Sequence, residues 1–270
     1  MRVLLTNDDG IQATGLNELR RALLEVPGVE LSVIAPNANM SATARSITTR
    51  RPLEVVEFEF EDGTTGYATD GTPVDCVRLA ALGLVGGSPE LIVSGINHGS
   101  NLGDDITYSG TVAAALEGVV LGVPGIAVSQ QSMAGEMDFR QGIEFDFREA
   151  ASFTARLVEE LESLPLPQGT LLNINCPAGD ARGAHATKLG RRIYRDRLEL
   201  DEEVEGRRVY RIYGADPGYH PEDGTDFAAI ADGCIAVTPL HFDLTATAAL
   251  EDLGGFDLDR LIRPAAEQVE

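Results

Sequence analysis

The 270-residue chain carries 43 acidic against 21 basic side chains, a formal charge of −22, and a potential of that sign repels nucleic-acid backbones, which excludes a polymer-binding role. Hydrophobic residues make up 43% and charged residues 24%, the balance of a globular protein and not of a disordered one. No apolar run approaches the roughly 20 residues needed to span a bilayer and no leader-like segment precedes the first strand, so a cytoplasmic protein without membrane contact is expected.

The first segment, Arg2 to Thr6, is a short apolar run that breaks at Asn7-Asp8-Asp9-Gly10 and gives way to helical spacing from Gly15 to about Val26. A second apolar run, Val29 to Ala35, ends at Pro36 and opens a polar stretch from Asn37 to Arg45. Strand, helix and strand in that order predict a βαβ unit with parallel strands and a right-handed crossover. Leu53 to Phe60 and Thr65 to Ala68 flank Glu61-Asp62-Gly63 and predict a hairpin; Asp75 to Leu84 has helical spacing, with Pro73 near its start.

The alternation then resumes with a buried strand at Leu91 to Ser94 and a Gly/Asn-rich loop from Gly95 to Tyr108. A small-residue helix from Gly110 to Leu121, a strand at Ile126 to Ser129, a helix at about Phe147 to Leu164 and a strand at Thr170 to Ile174 follow. This pattern predicts an α/β fold around a mainly parallel sheet covered on both faces. Residues 180 to 224 mix Arg, Glu and Tyr with β-type alternation at Arg208 to Tyr213, which reads as an extended hairpin or arm. Strand character returns at Cys234 to Thr238, and Leu253 to Ile262 has the spacing of a terminal helix. The expected organisation is a catalytic core over 1–178, an arm with a returning strand over 179–246 that serves oligomerisation, and a helical tail over 247–270.

In an open parallel sheet, ligands bind outside the carboxyl ends of the strands where strand order reverses. Three polar loops are expected there, contributing Asn7, Asp8 and Asp9, then Asn37, Asn39 and Ser41, then Ser94, Asn97, Asn101, Asp104 and Asp105. Aspartates after a strand also form turns and cap helices, so that plainer account stands beside the functional one. Adjacent carboxylates repel, and a shared proton or a cation relieves the repulsion. Asp8, Asp9, the Ser41 hydroxyl and the Asn97 amide oxygen are hard oxygen donors, a set that favours Mg²⁺ or Mn²⁺ over zinc. Tyr108-Ser109-Gly110-Thr111 opens a helix, where free amides and the helix dipole attract phosphate, although Ser109 and Thr111 would equally cap that helix. The chain has no GxxxxGK[ST], no GxGxxG at the first strand turn and no DxD at its end, so ATP-driven phosphotransfer and dinucleotide binding lack support.

Leu5-Thr6-Asn7-Asp8-Asp9-Gly10, Gly71-Thr72-Pro73-Val74-Asp75-Cys76, Ser94-Gly95-Ile96-Asn97, Tyr108-Ser109-Gly110-Thr111-Val112 and Thr238-Pro239-Leu240 together resemble the SurE family of survival-protein nucleotidases, in order from residue 1 to about 246. The resemblance implies a Rossmann-like three-layer fold and metal-dependent hydrolysis of nucleoside 5′- and 3′-monophosphates, with some action on short polyphosphate. It further implies one divalent ion per subunit and homodimers or homotetramers that exchange C-terminal segments. The family's metal ligands fall on Asp8, Asp9, Ser41 and Asn97, with Asp8, Asp9 and Asn97 as the catalytic set. Phosphate contacts are expected from Ser41, Asn97, Ser109, Gly110 and Thr111. The chain departs from the family at Ala42, where Gly commonly follows the serine, and at Thr14, where Pro is common.

The expected chemistry is in-line hydrolysis of a phosphomonoester by water, with one aspartate as base; attack by Asp8 itself is the alternative. His98 and His241 are the candidates for protonating the leaving oxygen. A module that senses nucleotide without turning it over would gain nothing from paired carboxylates beside its ligand unless a metal intervened. Cys76, Cys176 and Cys234 lie far apart in no CxxC spacing and read as buried free thiols. Lys188 is the sole lysine and the acidic residues are dispersed, a pattern that points to adaptation to high salt, where ions screen self-repulsion. The unfolding midpoint should therefore rise between low and molar salt; a flat or falling midpoint in thermal melts would count against that adaptation.

Overall fold

The computed structural model describes residues 1–137, 144–212 and 217–262. The chain begins with β1 (Arg2–Thr6), α1 (Thr14–Leu24) and β2 (Glu30–Pro36), and β1 pairs with β2 in parallel, Arg2 opposite Glu30. In β1, Val3 to Thr6 are all buried, as a strand covered on both faces requires. Helix α1 turns Leu16, Leu19 and Leu23 inward, the spacing of one apolar stripe.

The hairpin β3 (Val55–Glu59) and β4 (Thr65–Thr69) follows, its strands antiparallel, and β4 joins β2 in parallel. Helix α2 (Pro73–Ala81) opens with a capping box in which Thr72 accepts from the Asp75 amide and Asp75 accepts from the Thr72 amide. Next come β5 (Leu91–His98), α3 (Gly110–Val120), β6 (Gly125–Gln130), α4 (Arg148–Glu159) and β7 (Thr170–Cys176). After β7 lie β8 (Ala184–Ala186), β9 (Arg192–Ile193), β10 (Glu199–Val204), β11 (Arg207–Arg211), β12 (Gly218–Tyr219), α5 (Asp226–Ala231), β13 (Ile235–His241) and α6 (Thr247–Gly254).

The main sheet has nine strands in the order β3-β4-β2-β1-β5-β6-β7-β13-β8. Helices α1 and α4 share a core with one face, while α2 and α3 pack on the other through Cys76, Val77, Ala80 and Ala114. The result is a three-layer Rossmann-like sandwich. From β1 the chain moves outward to β2 on one side and returns as β5 on the other, so strand order reverses between β1 and β5. In open sheets of this kind the crevice that takes ligands lies at such a switch, outside the carboxyl ends of the strands. Among the described residues, no helix is long and apolar enough to cross a membrane, and all three cysteines are buried free thiols.

Strand β5 runs past the expected end at Ser94. Ser94 pairs with Ala127, the register shifts, and Asn97 and His98 then pair with Ser129 and Gln130. Gly95 absorbs the irregularity at φ 138°, where a Cβ would lie 2.4 Å from the Val128 carbonyl oxygen. Asn97 therefore sits on a bulged strand end and not in an open loop. The segment read as an arm divides in three. Strands β10 and β11 form one two-stranded ribbon and β9 and β12 another, whereas β8 extends the main sheet beside β13. The alternation expected to reach Tyr213 stops at Arg211, and Tyr213 lies outside the described residues. The helix expected from Leu253 to Ile262 lies earlier, as α6, because Gly254 and Gly255 terminate it, and a short 3-10 turn follows at Leu258–Leu261. Residues 263–270 of the expected tail lie outside the described residues.

Asp226, the first residue of α5, is fully buried. Its carboxylate accepts from the amides of Gly103 at 2.7 Å, Gly190 at 2.8 Å and Phe227 at 2.9 Å. Burial raises its pKa, and these bonds oppose the rise. It thus joins the loop after β5 to the second half of the chain. Asp226→Ala strands three buried donors and should cost about 3 kcal/mol or more, read as a lowered midpoint in chemical denaturation.

Candidate active site

Asp8 and Asp9 leave β1 at the switch point. Asn7 shapes the turn, donating its side-chain amide to the Gly10 carbonyl at 2.9 Å and accepting the Gly10 amide at 3.2 Å. This Asx-type turn sends the two following carboxylates in different directions. Asp8 is buried against the start of α3, where Thr111 donates its hydroxyl to Oδ1 at 2.6 Å. A Cβ at position 110 would lie 2.8 Å from both Cβ and Oδ2 of Asp8, so only glycine permits that approach.

Asp9 faces the other way. Its Oδ2 accepts the His98 amide at 3.1 Å and its Oδ1 accepts the Asn39 side-chain amide at 3.3 Å. The loop after β2 closes over the pair, with the Met40 amide donating to the Asp8 carbonyl at 2.7 Å. Asn39 in turn accepts the Ser41 amide at 2.8 Å, which sets Ser41 beside the aspartates. Asn97 donates its side-chain N–H to the Gly99 carbonyl at 2.8 Å, and its amide oxygen stands outside that bond. The end of β1 with Asp8 and Asp9 is thus tied to the loop of Ser41 through Asn39 and to the end of β5, beside Asn97, through the His98 amide.

Burial raises the Asp8 carboxyl above its ordinary range and the Asp9 charge raises it further, while the Thr111 hydroxyl and amide oppose the shift. Burial also raises Asp9, against the bonds from His98 and Asn39. Among the described residues no three His, Cys, Asp or Glu gather to hold a metal, so neutral oxygens such as those of Ser41 and Asn97 would have to complete a ligand set around the two aspartates.

The residues expected to contact phosphate are placed unequally. Ser109 is the N-cap of α3, accepting the Val112 amide at 3.1 Å, and the Thr111 hydroxyl is given to Asp8. What the first turn of α3 presents to an anion is its backbone and dipole. The two histidines also part company. The His98 ring stacks on Phe145 and Phe147, with centroids 5.1 and 4.9 Å away, and burial lowers its pKa against the pull of Asp8. His241 pairs with Thr170, the first residue of β7. Because β7 runs parallel to β6, His241 lies at the amino edge, roughly 20 Å of strand from the crevice, and is no partner for Asp8 within one chain.

Sequence reasoning did not assign three contributors. Asn39 was only part of a polar loop, yet it bridges Asp9 and Ser41. Asp75 accepts the Thr48 amide at 3.1 Å and the Thr72 hydroxyl donates to the Ser46 carbonyl at 2.8 Å, so the Gly71-to-Cys76 motif braces the loop that carries Ser41. The T-x-x-D spacing was the available signal. Arg192, buried, donates its Nε to Asp105 at 2.8 Å and its amide to Asp104 at 2.8 Å, fixing the loop before Ser109; no local pattern pairs residues so distant in sequence.

The model for the family described as "Survival protein SurE" matches residues 3–196. The chain is 52% identical over 266 residues to "5'-nucleotidase SurE" of Rubrobacter xylanophilus, covering 97% of this chain and 99% of that one. It is 46% identical over 256 residues to the protein of the same name from Chloroflexus aggregans, covering 94% and 98%. The crystal structure of the SurE protein from Aquifex aeolicus superposes with a TM-score of 0.77 at 35% identity, covering 97% of this chain and all of that one. With the fold, the motifs and full-length relatives in agreement, the chain belongs to the survival protein SurE family.

Proposed function

We propose that this chain is a 5′-nucleotidase: a divalent-cation-dependent phosphomonoesterase that releases phosphate from nucleoside monophosphates. The relatives from R. xylanophilus and C. aggregans carry that activity in their names. The observation that carries the reading is the pair Asp8 and Asp9, two carboxylates raised by burial at the mouth of a parallel sheet. Hydrolysis of 3′-monophosphates and short polyphosphate belongs to the same proposal, since the anion would meet the same helix end.

The donor set fits a hard divalent ion. Asp8 and Asp9 supply charge, Ser41 and Asn97 supply neutral oxygen, and the raised carboxylates are relieved by a positive neighbour. One Mg²⁺ or Mn²⁺ per subunit, when bound, would neutralise charge developing on the transferring phosphoryl group. The rest falls to the chain. The first turn of α3 orients the phosphate, and Thr111 keeps Asp8 in place. An aspartate of the pair accepts the proton of the attacking water as the new P–O bond forms and the ester P–O bond breaks. His98, beside the pair, is the candidate that returns a proton to the departing nucleoside oxygen.

The proposal extends to assembly as a homodimer or homotetramer through exchange of C-terminal segments. It is supported by exposed apolar side chains on the ribbon and the residues after β13, including Leu198, Leu200, Tyr210, Leu244 and Leu253.

Phosphate release from 5′-AMP, 5′-GMP and 3′-AMP, measured with Mg²⁺, with Mn²⁺ and after chelation, tests the whole reading; no release under any cation would sink it. Asp9→Asn should lower turnover on the order of 100-fold or more by weakening charge stabilisation, with the melting midpoint near wild type. Gly110→Ala should lower turnover roughly 100-fold by displacing Asp8, and its crystal structure should show the carboxylate moved off α3.

A further inference from the structure

The loop after β2 holds two alanines in the left-handed region, Ala42 at φ 58° and Ala44 at φ 51°. Alanine meets a steric penalty there that glycine escapes, so the surroundings must hold the loop in shape. Two backbone bonds press it onto the site: the Met40 amide donates to the Asp8 carbonyl at 2.7 Å and the Ala44 amide to the Tyr108 carbonyl at 3.1 Å.

The next residue carries a stronger tie. Arg45 places Nη2 2.5 Å from Oε2 of Glu117, whose side chain is 1% exposed. Arg78 meets the other oxygen at 2.6 Å as an ion pair without hydrogen-bond geometry. A carboxylate buried this deeply needs its partners. Glu117 lies six residues beyond Thr111, about 9 Å along the same helix. Arg45 also lies over the Phe242 ring, 4.8 Å from its centroid.

We propose that Arg45 and Glu117 form a positioning clamp, drawing residue 45 onto α3 and thereby holding Ala42 and Ala44 left-handed so that Asn39 and Ser41 stay opposite Asp8 and Asp9. The consequence for cation binding rests on the metal-dependent nucleotidase reading. The clamp itself does not.

The test uses Arg45→Ala, which leaves Glu117 paired with Arg78. Amide hydrogen exchange in metal-free protein should quicken at Met40 and Ala44 by about tenfold, the order by which left-handed alanine is disfavoured, with β1 and β6 unchanged. The Mn²⁺ dissociation constant from calorimetry should weaken roughly tenfold, the scale for residues supporting a ligand. Adding Ala44→Gly should return both values towards wild type, because glycine adopts the conformation unaided, and Arg45→Lys should fall between. Unchanged exchange at Met40 and Ala44 overturns the clamp. So does faster exchange that Ala44→Gly fails to slow, or loosening spread evenly through the sheet, which marks a merely structural ion pair. Should wild-type protein bind no Mn²⁺, the cation-dependent reading fails while the exchange result still decides the clamp.

Discussion

Two neighbouring carboxylates cannot sit at the buried edge of a sheet without opposition to their mutual repulsion, and that constraint organises this molecule. The sheet supplies the location, since strand order reverses between β1 and β5. The turn built by Asn7 splits the pair, giving Asp8 to α3 and Asp9 to the end of β5. Each aspartate is then held by donors from an element distant in sequence. The close approach of Asp8 to α3 requires glycine at position 110, so a single missing side chain fixes where helix and first strand meet. Hydrogen bonds lower the cost of the buried charge without removing it, which is why both groups remain raised.

Much of this was legible in the sequence because the informative residues act locally. The apolar run before Asn7 could only be a buried strand, and the break at Asp8 and Asp9 marked its carboxyl end. The Glu61-Asp62-Gly63 turn and the small-residue helix after Ser109 were equally direct. The illegible parts depend on distant partners. Gly95 looked like the start of a loop, but its positive φ lets β5 continue in a shifted register and delivers Asn97 on rigid backbone. Asp226 stands in no motif, and only the fold brings the Gly103 and Gly190 amides to it. His241 follows a motif that invites a catalytic role, yet the direction of one strand settles its position. No periodicity announces that β13 runs against β7.

The second half of the chain is tied to the first through buried polar contacts more than through apolar area alone. Asp226 and Arg192 each meet the loop between β5 and α3, Asp226 at Gly103 and Arg192 at Asp104 and Asp105. Phe227 packs with Leu102 beneath them. Groups of this kind specify register well, since a slip of one residue would leave several donors and acceptors unmet. The loop leading into Ser109 is thus shaped from outside the Rossmann-like core, and among the described residues after β7 no side chain hydrogen-bonds to either aspartate.

The reversal of β13 also governs how the protein can be handled. Residues after His241 depart from the amino edge of the sheet, on the far side of the molecule from Asp8 and Asp9. A change made directly behind His241 therefore meets the edge opposite the aspartates, whereas an extension at Met1, whose amino group is bonded to the Gly28 carbonyl at 2.6 Å, would disturb the strand that delivers both acids.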